Sequence, residues 1–488
     1  MPVENSEGRI GKDFMDDKNI NYVPICAKRP TWRVYQENLK RKSAGRNRLK
    51  YLTYFTVLCA VLLAWMGGSS VRSCGKAAEK SDAGYGLGGV GCASGGSLEK
   101  ASVKPDAGLG NRMLEKKDLR ILLENQDLLS RTEDRFSISR DGHAFRVETS
   151  LNTSLQRVLI EKLDVVNCRY VGIVVMDPDS GRILAMTGFD KTEASSNPCT
   201  SGFPAASIFK IVTAAACIES CGYNPQTVFA FNGGKHTLYK HQLRDREDRY
   251  SQKITLKDAF AQSVNPVFGK IGALRLGPIV LEKHAEAFGF NHDIDFELPL
   301  SLSRVVFSEE PYRLAEVSCG FNRDTTISPL HGAILSSAVF NRGQLIAPGI
   351  IDAVVDENGK TLYRHQPEMI GRAISPETSR MIGSLMEETV SSGTCRKAFS
   401  GYRSDKTLSR LNLGGKTGSI DNASRDVRLD WFVGFARDKN GPGRLAVSVV
   451  VGHERYIGTR ASQYARIAIR EYFSNYFSQM AGKAEDRG

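Results

Sequence analysis

Tyr170–Met186 reads YVGIVVMDPDSGRILAM. Two runs rich in β-branched residues flank Asp177-Pro178-Asp179-Ser180-Gly181, a cluster of turn formers, and the stretch therefore predicts a β-hairpin. Just upstream, FRVETSLNTSLQRVLIEKLDVV (Phe145–Val166) predicts a strand and then an amphipathic helix, with Leu155, Val158, Leu159 and Leu163 on one face. Near the other end, LDWFVGFA (Leu429–Ala436) and RLAVSVVVGH (Arg444–His453) predict a second hairpin around the polar Arg437–Gly443 turn, and Ser462–Met480 a closing helix. Strands at both ends of a mostly helical middle predict an α+β fold in which the two ends share one antiparallel sheet flanked by helices.

The middle holds PAASIFKIVTAAACIESCGYNP, Pro204–Pro225. Pro204 breaks any preceding helix, the apolar run Ile208–Ile218 is too long for a typical strand, and Gly222 suits a helix C-terminus. Ser207 then lies at a helix start, where unpaired N–H groups and the positive dipole end favour a developing anion. Lys210, three residues on, returns to the same face beside the serine hydroxyl. Neutral, it could take the hydroxyl proton, provided burial or a second cation lowers its pKa. The spacing alone carries little weight, because Ser97-Leu98-Glu99-Lys100 has it too.

Two further clusters extend the pattern. Ser263-Val264-Asn265 precedes Pro266 between two helical stretches, and a hydroxyl and carboxamide at i and i+2 on such a junction can face one cleft. Between Ser207 and Lys416 it is the only Ser-x-Asn triplet. Leu413-Gly414-Gly415-Lys416-Thr417-Gly418-Ser419 lies just before the LDWFVGFA strand. There Lys416 and Thr417 offer a cation and a hydroxyl to a carboxylate, while Gly418 would let a substrate backbone approach an edge strand. A phosphate-binding Walker loop is excluded, since it needs a glycine at 410, which is Arg410.

In this order, Ser-x-x-Lys, Ser-x-Asn and Lys-Thr-Gly resemble the signature of penicillin-binding proteins and serine β-lactamases. The chain resembles the transpeptidase domain of penicillin-binding proteins, of the monofunctional class B-like kind, over roughly Phe145–Met480. VETSLNTSLQ is similar to that domain's opening strand and helix, GIVVMDPDSGRILAM to its first hairpin, and DTTISPLHGAILSSAVFNRGQLIAP (Asp324–Pro348) to a further helix and loop. The resemblance implies a β-lactamase/transpeptidase-like fold with a five-stranded sheet and an adjoining all-helical subdomain. It also implies that Ser207 is the acylated nucleophile, Lys210 its base, Ser263 a proton relay with Lys416, and Asn265 a contact for the substrate amide. Thr417 would bind the substrate carboxylate beside Gly418, and the N–H groups of Ser207 and Ser419 would form the oxyanion hole. The implied reaction is attack on a D-alanyl-D-alanine stem peptide of peptidoglycan, loss of the last D-alanine, and transfer to a neighbouring amine, with β-lactams as inhibitors.

Rival expectations are a D,D-carboxypeptidase, a class D-like β-lactamase and a β-lactam sensor. PAAS at Pro204–Ser207 replaces the glycine usual before the nucleophile, and Trp431-Phe432-Val433-Gly434 matches class D enzymes. Those enzymes, however, carry Ser-x-Val where this chain has Ser263-Val264-Asn265. A class A enzyme needs a deacylating glutamate; Glu282 and Glu286 fall in the interval but read as surface helix residues. His236 and His241 have no metal-ligand spacing, so no metal and no cofactor are expected.

Leu52–Met66 is uncharged and apolar, with Tyr51 and Trp65 at headgroup positions, and predicts one membrane span. Lys40, Arg41, Lys42, Arg46, Arg48 and Lys50 precede it, which keeps the first residues cytoplasmic. Residues 1–50 hold twelve Lys/Arg against six Asp/Glu, half of the net charge of +12, and the remainder reads as spread thinly. Anionic lipid explains the tail, and nucleic acid is not an expected partner. The expected division is a basic cytoplasmic tail (1–50), an anchor (51–68), a flexible Gly-rich linker (69–112), a short helical segment (113–142), the transpeptidase-like domain (143–481) and a tail (482–488). The interval 69–142 is too short for a glycosyltransferase domain. The expected location is the bacterial inner membrane, single-pass, with the catalytic domain outside and a role in cell wall biogenesis and cell shape beside a membrane glycan polymerase of the division or elongation machinery. Eight cysteines follow the anchor, and they read as buried thiols or one or two disulfides.

Overall fold

In the computed structural model the described residues, 112–193 and 195–485, fall within one unit, Lys100–Gly488. The predicted cytoplasmic tail, anchor and almost all of the linker lie outside the described residues. Among the described residues no helix is long and apolar enough to cross a membrane.

A short helix α1 (Lys116–Leu122) is followed by strands β1 (Arg135–Arg140) and β2 (His143–Thr149), which pair as a hairpin. The segment expected to be helical, 113–142, therefore holds a strand as well as a helix, and the expected boundary at 142/143 falls in the hairpin turn. Asp141 and Gly142 there take positive φ, the left-handed backbone such a turn requires. Helix α2 (Thr153–Glu161), capped by the Asn152 side chain, leads to the first predicted hairpin, β3 (Cys168–Met176) and β4 (Ile183–Asp190). Helix α3 (Lys210–Cys221) ends at Gly222, whose φ of 65° is the left-handed cap that glycine tolerates best.

The middle is not all helical. Strands β5 (Val228–Phe231) and β6 (Gln252–Thr255) form a small hairpin before α4 (Leu256–Ala261), α5 (Asn265–Lys270), a π-helical stretch (Ile271–Leu276), α6 (Gly277–Ala287) and α7 (Pro311–Cys319). After α8 (Pro329–Phe340), strands β7 (Ile351–Asp356) and β8 (Thr361–Arg364) join β1 and β2 in a four-stranded sheet. Helix α9 (Pro376–Ser391) precedes β9 (Leu411–Asp421), β10 (Arg428–Asp438), β11 (Arg444–His453) and the closing helix α10 (Ala461–Glu485).

The five-stranded sheet is antiparallel with order β9–β10–β11–β3–β4, so the first and last hairpins meet along β11 and β3. Both of its faces are covered. Val171, Ile173, Val175, Phe432, Val447 and Val449 face the α2/α10 side, while Val174, Met176, Trp431, Val433 and Val450 belong to the core with α3 and α8. Alternate residues of one strand thus enter two apolar layers, which is why these strands read as near-continuous apolar runs. Gly332 on α8 permits the closest approach, since a Cβ there would lie 2.4 Å from Ser448 Oγ on β11. Cys168, Cys199, Cys217, Cys319 and Cys395 are buried thiols with no disulfide among them, which answers the cysteine question for these five.

Candidate active site

The nucleophile candidate sits on a bent entry to α3. Phe203 and Pro204 pair with Thr326 and Ile327, and Trp431 Nε1 donates to the Pro204 carbonyl at 2.9 Å, fixing the chain before the turn. Residues Ala206–Phe209 then form one turn of 3-10 helix, and the α-helix begins only at Lys210. This sharpens the expected helix start, because a 3-10 turn has three residues and places i and i+3 directly over each other. Lys210 Nζ donates to Ser207 Oγ at 2.8 Å.

Ala206 carries φ of 47° and is buried. The position where related sequences more often have glycine is thus a left-handed one, which costs an alanine roughly 1 kcal/mol or more. Two glycines make room for it. A Cβ on Gly320, after α7, would lie 1.8 Å from the Ala206 carbonyl oxygen, and a Cβ on Gly418 would lie 3.2 Å from both Ala206 Cβ and Ser207 N. The nucleophile turn thus packs on the Cβ side of Gly418, which brings Ser207 against β9.

Lys210 is wholly buried and spends its remaining donors on Asn265 Oδ1 at 2.7 Å and the Cys319 carbonyl at 2.5 Å. The Phe268 ring lies 5.7 Å from its Nζ. Among the described residues no carboxylate bonds it, and burial pulls its pKa down from the usual lysine value to about 8. Lys416 on β9 is equally buried and donates to Ser263 Oγ at 2.9 Å and to the Thr417 carbonyl at 2.7 Å. Burial pushes its pKa well down, and the charge of Lys210 adds to the shift.

Ser263 stands in the bend between α4 and α5 with φ of 56°, its N–H donating to the Phe260 carbonyl. That bend lets the hydroxyl and the Asn265 carboxamide reach the two different lysines. Asn265 Nδ2 donates to the His236 carbonyl at 3.0 Å, and its backbone N–H donates to the Lys235 carbonyl at 2.7 Å. Thr417 Oγ1 and Thr394 Oγ1 are hydrogen-bonded at 2.5 Å. Ser419 is exposed, and its hydroxyl accepts from Arg428 Nη2 at 3.3 Å. All eight residues singled out in the sequence therefore gather along one line, Ser207–Lys210–Asn265 on one side and Ser263–Lys416–Thr417–Gly418–Ser419 on the other. Glu282 and Glu286 are exposed on α6.

Several participants escaped the sequence reading. The Cys319 carbonyl is backbone and leaves no residue-type signal, and neither do the Lys235 and His236 carbonyls. Thr394 could have been suspected from Gly393-Thr394, a small turn pair directly after α9. His236 was set aside for lack of metal spacing, yet burial, with Lys210 and Lys416 nearby, pushes its pKa down.

A sheet in which the first and last hairpins of the domain meet, and a Ser-x-x-Lys turn laid across its edge strand, define a transpeptidase-type penicillin-binding domain. The chain belongs to that family: a sequence model of the penicillin binding protein transpeptidase domain matches residues 171–470. Among curated relatives it is 27% identical to stage V sporulation protein D of Bacillus subtilis, over 62% of this chain and 49% of that protein. It is 21% identical to peptidoglycan D,D-transpeptidase PbpA of Mycolicibacterium smegmatis, over 70% of this chain and 75% of that protein. The chain thus spans about half the length of the first and three quarters of the second. A crystal structure of the D,D-transpeptidase domain of a peptidoglycan glycosyltransferase from Eggerthella lenta has the same fold, with a TM-score of 0.57 at 24% identity, over 73% of this chain and 87% of that one.

Proposed function

We propose that this chain is a peptidoglycan D,D-transpeptidase that works through an acyl-enzyme on Ser207 and is acylated there by β-lactams. The observation that carries the reading is the bond from Lys210 Nζ to Ser207 Oγ in a site where burial lowers the lysine pKa to about 8. A lysine so placed is neutral in a useful fraction of molecules near neutral pH and can accept the serine proton. Attack by Ser207 Oγ on the penultimate D-alanine carbonyl forms a tetrahedral oxyanion, which the Ser207 and Ser419 N–H groups would stabilise. The proton taken by Lys210 would pass by way of Ser263 and Lys416 to the departing D-alanine amine, and Asn265 would orient the substrate amide. Thr417, tied to Thr394, would present its hydroxyl to the terminal carboxylate. An amine of a neighbouring stem then displaces Ser207 Oγ, which regains its hydroxyl proton from that amine by way of Lys210, forming the cross-link.

The membrane anchor at 51–68, the extracytoplasmic placing of the domain and a role beside a membrane glycan polymerase belong to the same proposal. They are supported by the apolar run Leu52–Met66 and its basic flank. The test uses a donor stem pentapeptide with and without an acceptor amine. Cross-linked product in its presence is expected; release of D-alanine with no transfer product at any acceptor concentration would make the chain a carboxypeptidase. Rapid repeated turnover of nitrocefin would make it a β-lactamase.

A further inference from the structure

Outside the catalytic line, the charge that read as thinly spread is concentrated in one place. Arg396–Arg410 carries Arg396, Lys397, Arg403, Lys406 and Arg410 against Asp405 alone. Three of these cations, with Ser391, Ser400 and Tyr402, line a cleft of about 600 Å³ whose floor includes Val390 and Phe399. Its size is that of a small-ligand site. Arg396, Lys397 and Arg403 are exposed and make no ion pair among the described residues; Arg403 Nε donates to Tyr402 Oη, and its guanidinium lies 5.6 Å from that ring.

The nearby acids are engaged elsewhere. Asp405 caps the N–H groups of Thr407 and Leu408 and pairs with Arg470, while Glu388 pairs with Lys257. Cations lining one cleft without a counter-charge repel one another, and an oxyanion between them would remove that cost while satisfying the guanidinium forks.

The cleft is wired to the catalytic line by a two-residue link. Gly393 packs so tightly on α4 that a Cβ would lie 2.4 Å from the Ala261 carbonyl oxygen, to which Thr394 donates its N–H at 3.1 Å. Thr394 Oγ1 meets Thr417 Oγ1, and Arg396 follows two residues later, its N–H bonded to the Gly393 carbonyl. We infer that the cleft lined by Arg396, Lys397 and Arg403 is a binding site for an oxyanion ligand, carboxylate or phosphate, whose occupancy adjusts Thr417 through Thr394. This site lies outside the catalytic line, and only its effect through Thr417 rests on the proposed transpeptidase reaction.

The test takes the full chain at constant ionic strength and titrates citrate in one arm and inorganic pyrophosphate in the other, read by calorimetry and by the rate of acylation with a fluorescent penicillin. Saturable binding of at least one probe is expected, with an acylation rate change of about fivefold, the lower end of usual site-to-site coupling. Which arm binds separates a carboxylate from a phosphate ligand. The triple variant Arg396→Gln, Lys397→Gln, Arg403→Gln should lose both binding and the rate response while keeping the basal rate. Thr394→Val should keep binding but lose the response. Absence of saturable binding in both arms, binding unchanged in the triple variant, or, in a chain that penicillin acylates, binding with no rate response would each overturn the inference. Calorimetry reads the site even if the chain does not react with penicillin, so its failure is distinct from failure of the transpeptidase reading.

Discussion

The nucleophile turn and the edge strand β9 each bury a lysine completely, but they treat it differently. Lys210 gives its donors to three separate parts of the chain: Ser207 Oγ, Asn265 Oδ1 and the Cys319 carbonyl. Lys416 bonds Ser263 Oγ and the carbonyl of its own neighbour Thr417. Lys210 is thus locked by tertiary structure onto the reacting hydroxyl, whereas Lys416 reaches the chemistry through a second hydroxyl. Neither has a carboxylate bonded to it, and two buried cations in one site favour the loss of a proton. The lesson is that the fold holds the site in a state it would not choose for stability, and the strain at Ala206 and Ser263 belongs to the same design.

The largest expected effect is loss of all penicillin labelling in Ser207→Ala. Lys210→Gln should follow, with second-order acylation slower by about 10³-fold, inside the range for loss of a positioned general base. Lys416→Gln should cost less, because its contact with Ser207 is indirect. If Lys416→Gln proved the more damaging, the ranking of the two lysines would be reversed.

Acylation by wild type should rise with pH, half-maximal near 8, since the neutral form of Lys210 accumulates as pH climbs through its lowered pKa. Lys416→Gln should leave that midpoint in place, since burial, not Lys416, lowers the Lys210 pKa. The same shift has a stability consequence. Lys210 keeps a lower pKa folded than unfolded, so the folded state binds fewer protons and stability increases with pH toward the ordinary lysine value. Chemical denaturation of wild type against Lys210→Met between pH 7 and pH 10 should show wild type gaining ground as pH rises.

Gly320→Ala places a methyl against the Ala206 carbonyl at a φ of 68° and should cost about 2–4 kcal/mol of stability, with slower acylation as the turn shifts. The smallest effect is expected for Thr394→Val, about fivefold in acylation rate, the size of one lost hydrogen bond.

Much of this was legible in the sequence. The two hairpins were readable because turn clusters such as Asp177–Gly181 interrupt β-branched runs, and the site residues because three short motifs occur in one order. The β1 strand was missed since RFSISR has polar alternate positions and takes its partner from β2 across a two-residue turn. The β5/β6 hairpin was missed because its strands are four residues each and separated by a long polar loop. What no sequence pattern exposes is the backbone part of the site: the Cys319 carbonyl on Lys210, the 3-10 turn under Ser207, and the packing of that turn on Gly418. The cationic cleft escaped as well, since its members are scattered among Ser, Gly and Tyr and converge only when the loop after α9 folds.

The most direct test of the central claim is mass spectrometry of the chain after reaction with benzylpenicillin. One adduct of the intact drug is predicted, located by peptide mapping on the peptide containing Ser207 and absent from Ser207→Ala. An adduct on any other residue, or no adduct on folded protein, would contradict it.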